Sequence, residues 1–473
     1  MRKQIITMAI GILPSMVFAQ LNTFDLSSYK LPEMNRHQLD FNFDLNGKSQ
    51  ILDENYKYTS DLYKSQNYMG GALNLSYSFY KNSEKLQLNH KYDIGFSSSF
   101  SDNKNEIKTL DESYDIGSYL YIKSENRFYY NSKSFFEANL LLNTRLHNYK
   151  KNYLPGTDFS DSKNIGISIP LFIGFGRIEQ IQDCRLALYI LDELNKLGKL
   201  TRIPSDEETI EFSQLISKLQ NERFFDSRLK KIHEIKEVDS FLQSKGLINT
   251  ADSEYFTIVN DNWDYAITII RNTGQRISFG IEPKIYSSNY HSKIDNGNLL
   301  ITEFESKRNE YSINANLQYI YEKPINLYWQ NSLSFLLIGT YLESTYGVSA
   351  SNLDNSLDIN APQITSRLSY NLGFYPNSRT SLNISFAMNY FNSFGEEKYN
   401  DEKNSINHLV LTPNSYLNLY YYISPQLRLN VNYSVDYNYT ESDSEYYADI
   451  SNEYIKRNSF NQYLSAGFLF QIK

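Results

Sequence analysis

The residues able to do chemistry in this chain are few and scattered. Of its six histidines, His90 falls on the apolar side of an alternating run. His37, His147, His233, His291 and His408 stand alone on strand ends, loops or helical stretches. No grouping of serine, histidine and acid is recognisable as a nucleophile, its base and an orienting carboxylate. The single cysteine, Cys184, rules out an internal disulfide, a paired-thiol metal site and a CxxC redox couple. Its place on the apolar side of a helical stretch reads as a buried thiol. Gly174-Phe175-Gly176 is a lone GxG at a strand-to-helix junction, and without a βαβ pattern it reads as a tight exit from a strand, not a phosphate cradle. No catalytic residue, metal ligand or cofactor site is expected, and no enzymatic activity.

What remains is charge set in an alternating pattern. Asp44, Lys91, Asp93, Glu282, Lys284, Arg367, Arg428 and Asp436 each lie on the polar side of a period-two run, among Asn, Ser, Gln and Gly. A dry core does not hold so many ionisable groups without partners, so the side they share is expected to line an aqueous lumen. The plainer reading makes them solvated or paired wall residues with no part in selectivity.

The elements that would position them are strands. In Leu427 to Thr440, Leu427, Leu429, Val431, Tyr433, Val435, Tyr437 and Tyr439 fall on one side, and Arg428, Asn430, Asn432, Ser434, Asp436, Asn438 and Thr440 on the other. Such a stretch is long enough to cross a bilayer at a tilt, and its terminal tyrosines suit the water-lipid boundary. Equivalent runs predict fourteen strands, with residues 37–176 and 275–473 as the two barrel segments. Strand six is expected at Asn164 to Gly176, its outward face formed by Ile165, Ile167, Ile169, Leu171, Ile173 and Phe175. The facing of strand five is ambiguous because Phe135 and Phe136 are adjacent.

Composition agrees. The 473 residues are 41% hydrophobic and include 41 Tyr, with a mean hydropathy of −0.51. That is too polar for a helical membrane protein and fits a wall in which alternate residues face water. Met1-Arg2-Lys3, the apolar Ile5 to Leu13 and Val17-Phe18-Ala19 read as a secretory signal peptide over residues 1–19, followed by a short leader at 20–36. Loss of Arg2 and Lys3, two positive charges, takes the formal charge from −8 to −10, so nucleic acid is not an expected partner.

Between the strand segments, residues 177–274 turn helical. Ile181, Cys184, Leu188, Leu191 and Leu194 recur three or four apart ahead of Gly198. Ser205 with Glu208 makes a capping box that opens a second helix. A third stretch surrounds Leu229 to Leu242 and ends before Gly246; a fourth runs from about Ser253 to Ile270. Charges in nearly every turn mark these helices as amphipathic and water-facing, unable to lie in lipid.

Links leaving even-numbered strands read as short and those leaving odd-numbered ones as longer, except for the helical insertion after strand six. That is the pattern of short periplasmic turns and long outer loops. In these features the chain resembles the bacterial outer-membrane β-barrels, broadly the porin-like class, although Lys473 follows Phe468 and Phe470 where that class commonly ends in an aromatic. Fatty-acid transporters of the class also have fourteen strands but carry an N-terminal plug, for which Leu21 to Arg36 is too short.

The expected fold is therefore an all-β transmembrane antiparallel barrel of about fourteen strands with an α-helical insertion on the periplasmic side or in the lumen. The expected function is an outer-membrane channel for small hydrophilic solutes, gated or plugged by the insertion. The alternative is an anchor or assembly component whose periplasmic helices bind another envelope protein or export machine. The expected surroundings are outer-membrane lipid and the barrel-insertion machinery. Acidic runs at Gly395 to Lys403 and Tyr439 to Arg457 would favour cations or hold divalent ions between headgroups; the plainer reading is solvated surface.

Overall fold

The computed structural model describes residues 24–51, 63–105, 110–153, 156–224, 226–249, 251–265, 270–297, 301–350, 353–399, 402–424, 427–445 and 453–470. The signal-peptide stretch and Asp449 lie outside the described residues. The chain divides into two compact units, one comprising Met1–Lys30 with Gln180–Arg271 and the other Leu31–Glu179 with Asn272–Lys473.

The larger unit is one antiparallel sheet. Its strands are β1 (Met34–Ile51), β2 (Tyr63–Asn82), β3 (Leu86–Asn105), β4 (Leu110–Tyr129), β5 (Ser134–Tyr153), β6 (Gly156–Ser168), β7 (Leu171–Gln180), β8 (Asn272–Asp295), β9 (Ile301–Pro324), β10 (Trp329–Ala350), β11 (Leu353–Asn377), β12 (Thr380–Tyr399), β13 (Glu402–Tyr422), β14 (Leu427–Glu445) and β15 (Glu453–Phe470). Each pairs with its sequence neighbours, except that β6 pairs with β8 across the insertion and β7 pairs with both β5 and β8.

The expected single strand six is thus two strands, β6 and β7, which share one place in a sheet of fourteen places. Pro170 causes the break, because proline has no N–H to give the ladder. Its carbonyl still accepts from the Asn139 N–H at 2.8 Å, and the Ile169 N–H donates to the Pro283 carbonyl at 3.1 Å, so the bend stays tied to both neighbours.

The strands also run longer than their apolar alternation. β1 continues from Leu45 to Ile51, and β3 runs on to Asn105 through the expected link at Ser101. Ladder bonds are made by backbone, so polar residues extend a strand once its neighbour is in register. The expected contrast between short and long links largely disappears: β5 ends at Tyr153 with β6 starting at Gly156, and β10 ends at Ala350 with β11 starting at Leu353.

The path ends at β1 and β15, and among the described residues no ladder joins these two strands. Both are exposed along nearly their whole length. The register puts large apolar side chains of successive strands on one face. Phe41 pairs with Leu75, Leu75 with Ile94 and Ile94 with Leu120; Leu429 pairs with Phe468. These side chains are uncovered: Phe41, Phe96, Ile281, Phe386 and Phe468 are 62, 58, 48, 48 and 70% exposed.

The smaller unit holds α1 (Gln182–Lys196), α2 (Asp206–Asn221), α3 (Ser227–Ser244) and α4 (Ser253–Tyr265), near the expected positions. Its core gathers Leu186, Ile190, Leu194, Phe212, Ile216, Val238, Leu242, Val259 and Trp263. The capping box forms as expected: Ser205 Oγ accepts from the Glu208 N–H at 3.2 Å, and Glu208 Oε2 accepts from the Ser205 N–H at 2.9 Å. α1 and α3 stop at Gly198 and Gly246, where Lys199 and Leu247 donate back to the carbonyls of Leu194 and Leu242 at 2.9 Å. The expectation that all these helices face water fails for α1, which buries nearly every residue from Gln182 to Leu194, including Asp183 and Arg185. Phe24, Leu26 and Tyr29 of the leader are buried as well, around a 3-10 turn at Leu26–Ser28 capped by Asp25.

At the root of the insertion, β7 and β8 approach closely at two glycines. Gly176 has φ +105°, and a Cβ there would stand 2.0 Å from the Gln275 carbonyl oxygen; Gly274 faces the Arg177 carbonyl in the same way. Gly176→Ala therefore meets both a backbone clash and a disfavoured dihedral, the latter alone worth about 1–3 kcal/mol. Faster amide exchange throughout β7 is the expected result. Gly339→Ala, whose Cβ would meet nothing within 4 Å, should leave exchange unchanged.

Candidate functional site on the polar face of the sheet

The strand register settles which expected lumen residues share a face. Lys91 pairs with Lys123, Lys123 with Leu141, Leu141 with Ser168 and Ser168 with Lys284. Asp93, two residues along β3, lies on the same side, as does Asp44 through its partner Ala72 and that residue's partner Ser97. Glu282 continues through Asn314, Thr340 and Gln363. Arg367 pairs with Asn389 and Asn389 with Thr412; Asp436 pairs with Asn414 and Arg428 with Tyr422. All eight therefore lie opposite the uncovered apolar face.

They do not converge on one point. Lys91 and Lys284 occupy one row but stand four strand spacings apart, about 19 Å. Their local partners differ. Lys91 forms an ion pair with Asp93 at 2.9 Å, and Ser76 Oγ donates to Asp93. Asn314 and Asn316 donate to Glu282 Oε2 at 3.3 and 3.5 Å. Asn461 donates to Asp436 at 2.8 Å, and the Arg428 guanidinium lies 5.2 Å from the Tyr420 ring centre. Asp44, Lys284 and Arg367 are exposed. The face also carries apolar residues that alternation left unassigned: Leu336 pairs with Gln318 and Arg367, and Ile338 with Asn316 and Thr365.

A tighter constellation than any expected from sequence sits on the same face. Arg127 Nε and Nη2 donate to Glu137 Oε2 at 2.8 and 2.7 Å, and Glu137 is 7% exposed. Gln87 Oε1 accepts from Arg127 Nη1 at 3.3 Å and from the Tyr129 hydroxyl at 3.0 Å, while Gln87 Nε2 donates to Asn82 Oδ1 at 3.0 Å. Arg177 reaches the same Asn82 Oδ1 at 2.9 Å and the Ser83 carbonyl at 2.8 Å, pairs with Glu179 and stacks over Tyr129. Phe135, fully buried, lies 5.2 Å below the Arg127 guanidinium, whereas Phe136 is 38% exposed on the other face. That resolves the ambiguity of strand five. Gln87, Arg127 and Glu137 do obey alternation; the signal was masked because an aromatic pair hides which side is which.

The histidines are not isolated. His37 bonds Tyr77, His90 bonds Asn126, His147 bonds Asp115, His233 bonds Glu222, and His291 lies between Asp161 and Glu303. Among the described residues none of them is hydrogen-bonded to a serine, and no group of three His, Cys, Asp or Glu is placed to hold a metal. Cys184 is buried, and burial pushes its thiol up to about 12, so it stays protonated near neutral pH. The acidic ends of the strands are partly paired: Lys403 bonds Glu396 at 3.1 Å, and Lys456 lies 5.3 Å from the Tyr439 ring centre.

No family model matches this chain, and neither a curated protein nor a solved structure does.

Proposed function

We propose that the sheet closes upon itself in a bacterial outer membrane, β1 against β15, and conducts small hydrophilic solutes. The observation that carries this reading is the uncovered apolar face, with large side chains exposed on strand after strand. Soluble proteins rarely expose contiguous apolar patches beyond a few hundred Å². Fourteen places around a ring bring β1 and β15 together antiparallel, as an even-numbered barrel requires. Every strand but the broken pair exceeds the roughly 9–11 residues that a tilted crossing needs. The opposite face, with its charges and amides, suits water.

The start of β1, the turns after β2 and β4, and the end of β7 fall on one edge of the sheet, since Met34 pairs with Asn82 and Ser134 with Phe175. With the N-terminus in the periplasm, the helical unit emerges there too and gates or plugs the lumen. The second reading, an anchor whose helices bind an envelope partner, is favoured by the size of that unit, because a diffusion pore needs no such domain.

Planar-bilayer recording distinguishes the two. The Ile181 N–H donates to the Arg271 carbonyl at 2.9 Å, so the helical unit can be excised from Gln180 to Arg271 and the ends joined by a short glycine link. Conductance in both forms supports an open pore, and conductance only after excision supports a plug. Silence in both, with a co-purifying envelope protein, supports the anchor. Accessibility tags beside Ser83 and beside Ala350 that report the same compartment would overturn the membrane reading itself.

A further inference from the structure

The cationic centre of the polar face has one guanidinium too many. The register sets Arg276 of β8 on that face, two residues from Ser278, which pairs with Gln318. It lies within electrostatic reach of Arg127, Glu137, Tyr129 and Glu125. Its Nε is buried without a hydrogen-bond partner among the described residues.

The neighbouring acceptors are already taken. Glu137 Oε2 receives two Arg127 donors, and Glu137 Oε1 receives Asn139 Nδ2 at 2.8 Å. Glu125 is occupied on both oxygens, by Lys123 at 2.7 Å and Asn89 at 3.0 Å. Gln87 Oε1 serves Arg127 and Tyr129. Each of these two carboxylates is thus already paired with a cation of its own, Glu137 with Arg127 and Glu125 with Lys123. Neither flanking strand brings an acceptor beside Arg276: on one side a Cβ on Gly176 would lie 2.9 Å from the Arg276 Cα, and on the other Arg276 pairs with Ile320.

We propose that Arg276, with Arg127 behind it, is a binding point for an oxyanion, the carboxylate or phosphate group of a small solute. A guanidinium presents a planar fork of donors that matches either group and binds it more strongly than a neutral acceptor. An anion here supplies the acceptors that the wall lacks and offsets the excess positive charge. The site runs against the acidic balance of the whole chain, and it predicts that solutes are held by their anionic end even where the strand tips attract cations. It deepens the channel reading, because the solute must reach this face.

Equilibrium dialysis of the detergent-purified full chain against radiolabelled inorganic phosphate, and separately against succinate, tests the site without requiring conductance. Saturable binding of one or both is expected, at least tenfold weaker in Arg276→Gln and partly recovered in Arg276→Lys, with retention of heat-modifiable gel mobility showing that each variant is folded. Phosphate alone would identify phosphorylated solutes and succinate alone carboxylates, each supporting the site. Absence of saturable binding for both probes, or equal binding in Arg276→Gln, overturns it. Binding in a chain that never conducts removes the pore and keeps the site; conductance without binding does the reverse.

Discussion

Replacing Glu137 by alanine is expected to cost about 3–5 kcal/mol, the loss seen when one partner of a buried ion pair is removed and its counter-charge stays behind. Glu137 is 7% exposed, and both its oxygens are engaged, by Arg127 and by Asn139. Without it Arg127 keeps the Gln87 hydrogen bond and the Phe135 ring, Asn139 loses an acceptor, and Arg276 loses one of the two carboxylates near it. Urea titration followed by heat-modifiable mobility on semi-native gels measures the loss. The double change Arg127→Met with Glu137→Leu should recover most of it, because an apolar pair of similar volume removes the buried charges together. A Glu137→Ala chain as stable as the parent would mean that the network is solvated.

The second large effect lies on the opposite face. Ile281→Arg places a cation where Ile281 pairs with Ala315 and Ala315 with Gly339, in the middle of the apolar rows. If lipid covers that face the substitution costs about 2–4 kcal/mol at the bilayer midplane. If water covers it, an exposed isoleucine exchanged for arginine costs almost nothing and improves solubility. Asn314→Arg, on the polar face beside Glu282, is the control expected to be neutral in either case. Folding yield into liposomes, read as the fraction resistant to urea, separates the alternatives: equal yields for Ile281→Arg and the parent would remove lipid from that face.

The faces of the strands were legible because a side-chain period of two leaves no freedom once one side must be apolar. All eight expected polar-face charges fall where alternation put them, and the helix starts and stops at Ser205, Gly198 and Gly246 were legible through local capping chemistry. Four features were hidden for physical reasons. Pro170 sits inside an apolar run whose side chains still alternate, so the missing N–H breaks a ladder without disturbing the pattern. Strand extensions such as Asn46 to Gln50 carry no apolar signal, since backbone pairing alone sustains them. The Arg127, Glu137 and Arg276 constellation brings together β4, β5 and β8, and no spacing along one segment reports a meeting across strands. The burial of α1 was missed because charges at helical spacing look solvated until their surroundings are known.

The brevity of the gaps between strands has a consequence for how the molecule meets other macromolecules. Tyr153 and Gly156, Ala350 and Leu353, and Tyr399 and Glu402 close successive strands with almost no free chain between them. A protease must draw several residues of substrate into an extended, unpaired segment, and loop tips are where it usually finds them. Strands that follow one another this closely offer a protease little to seize.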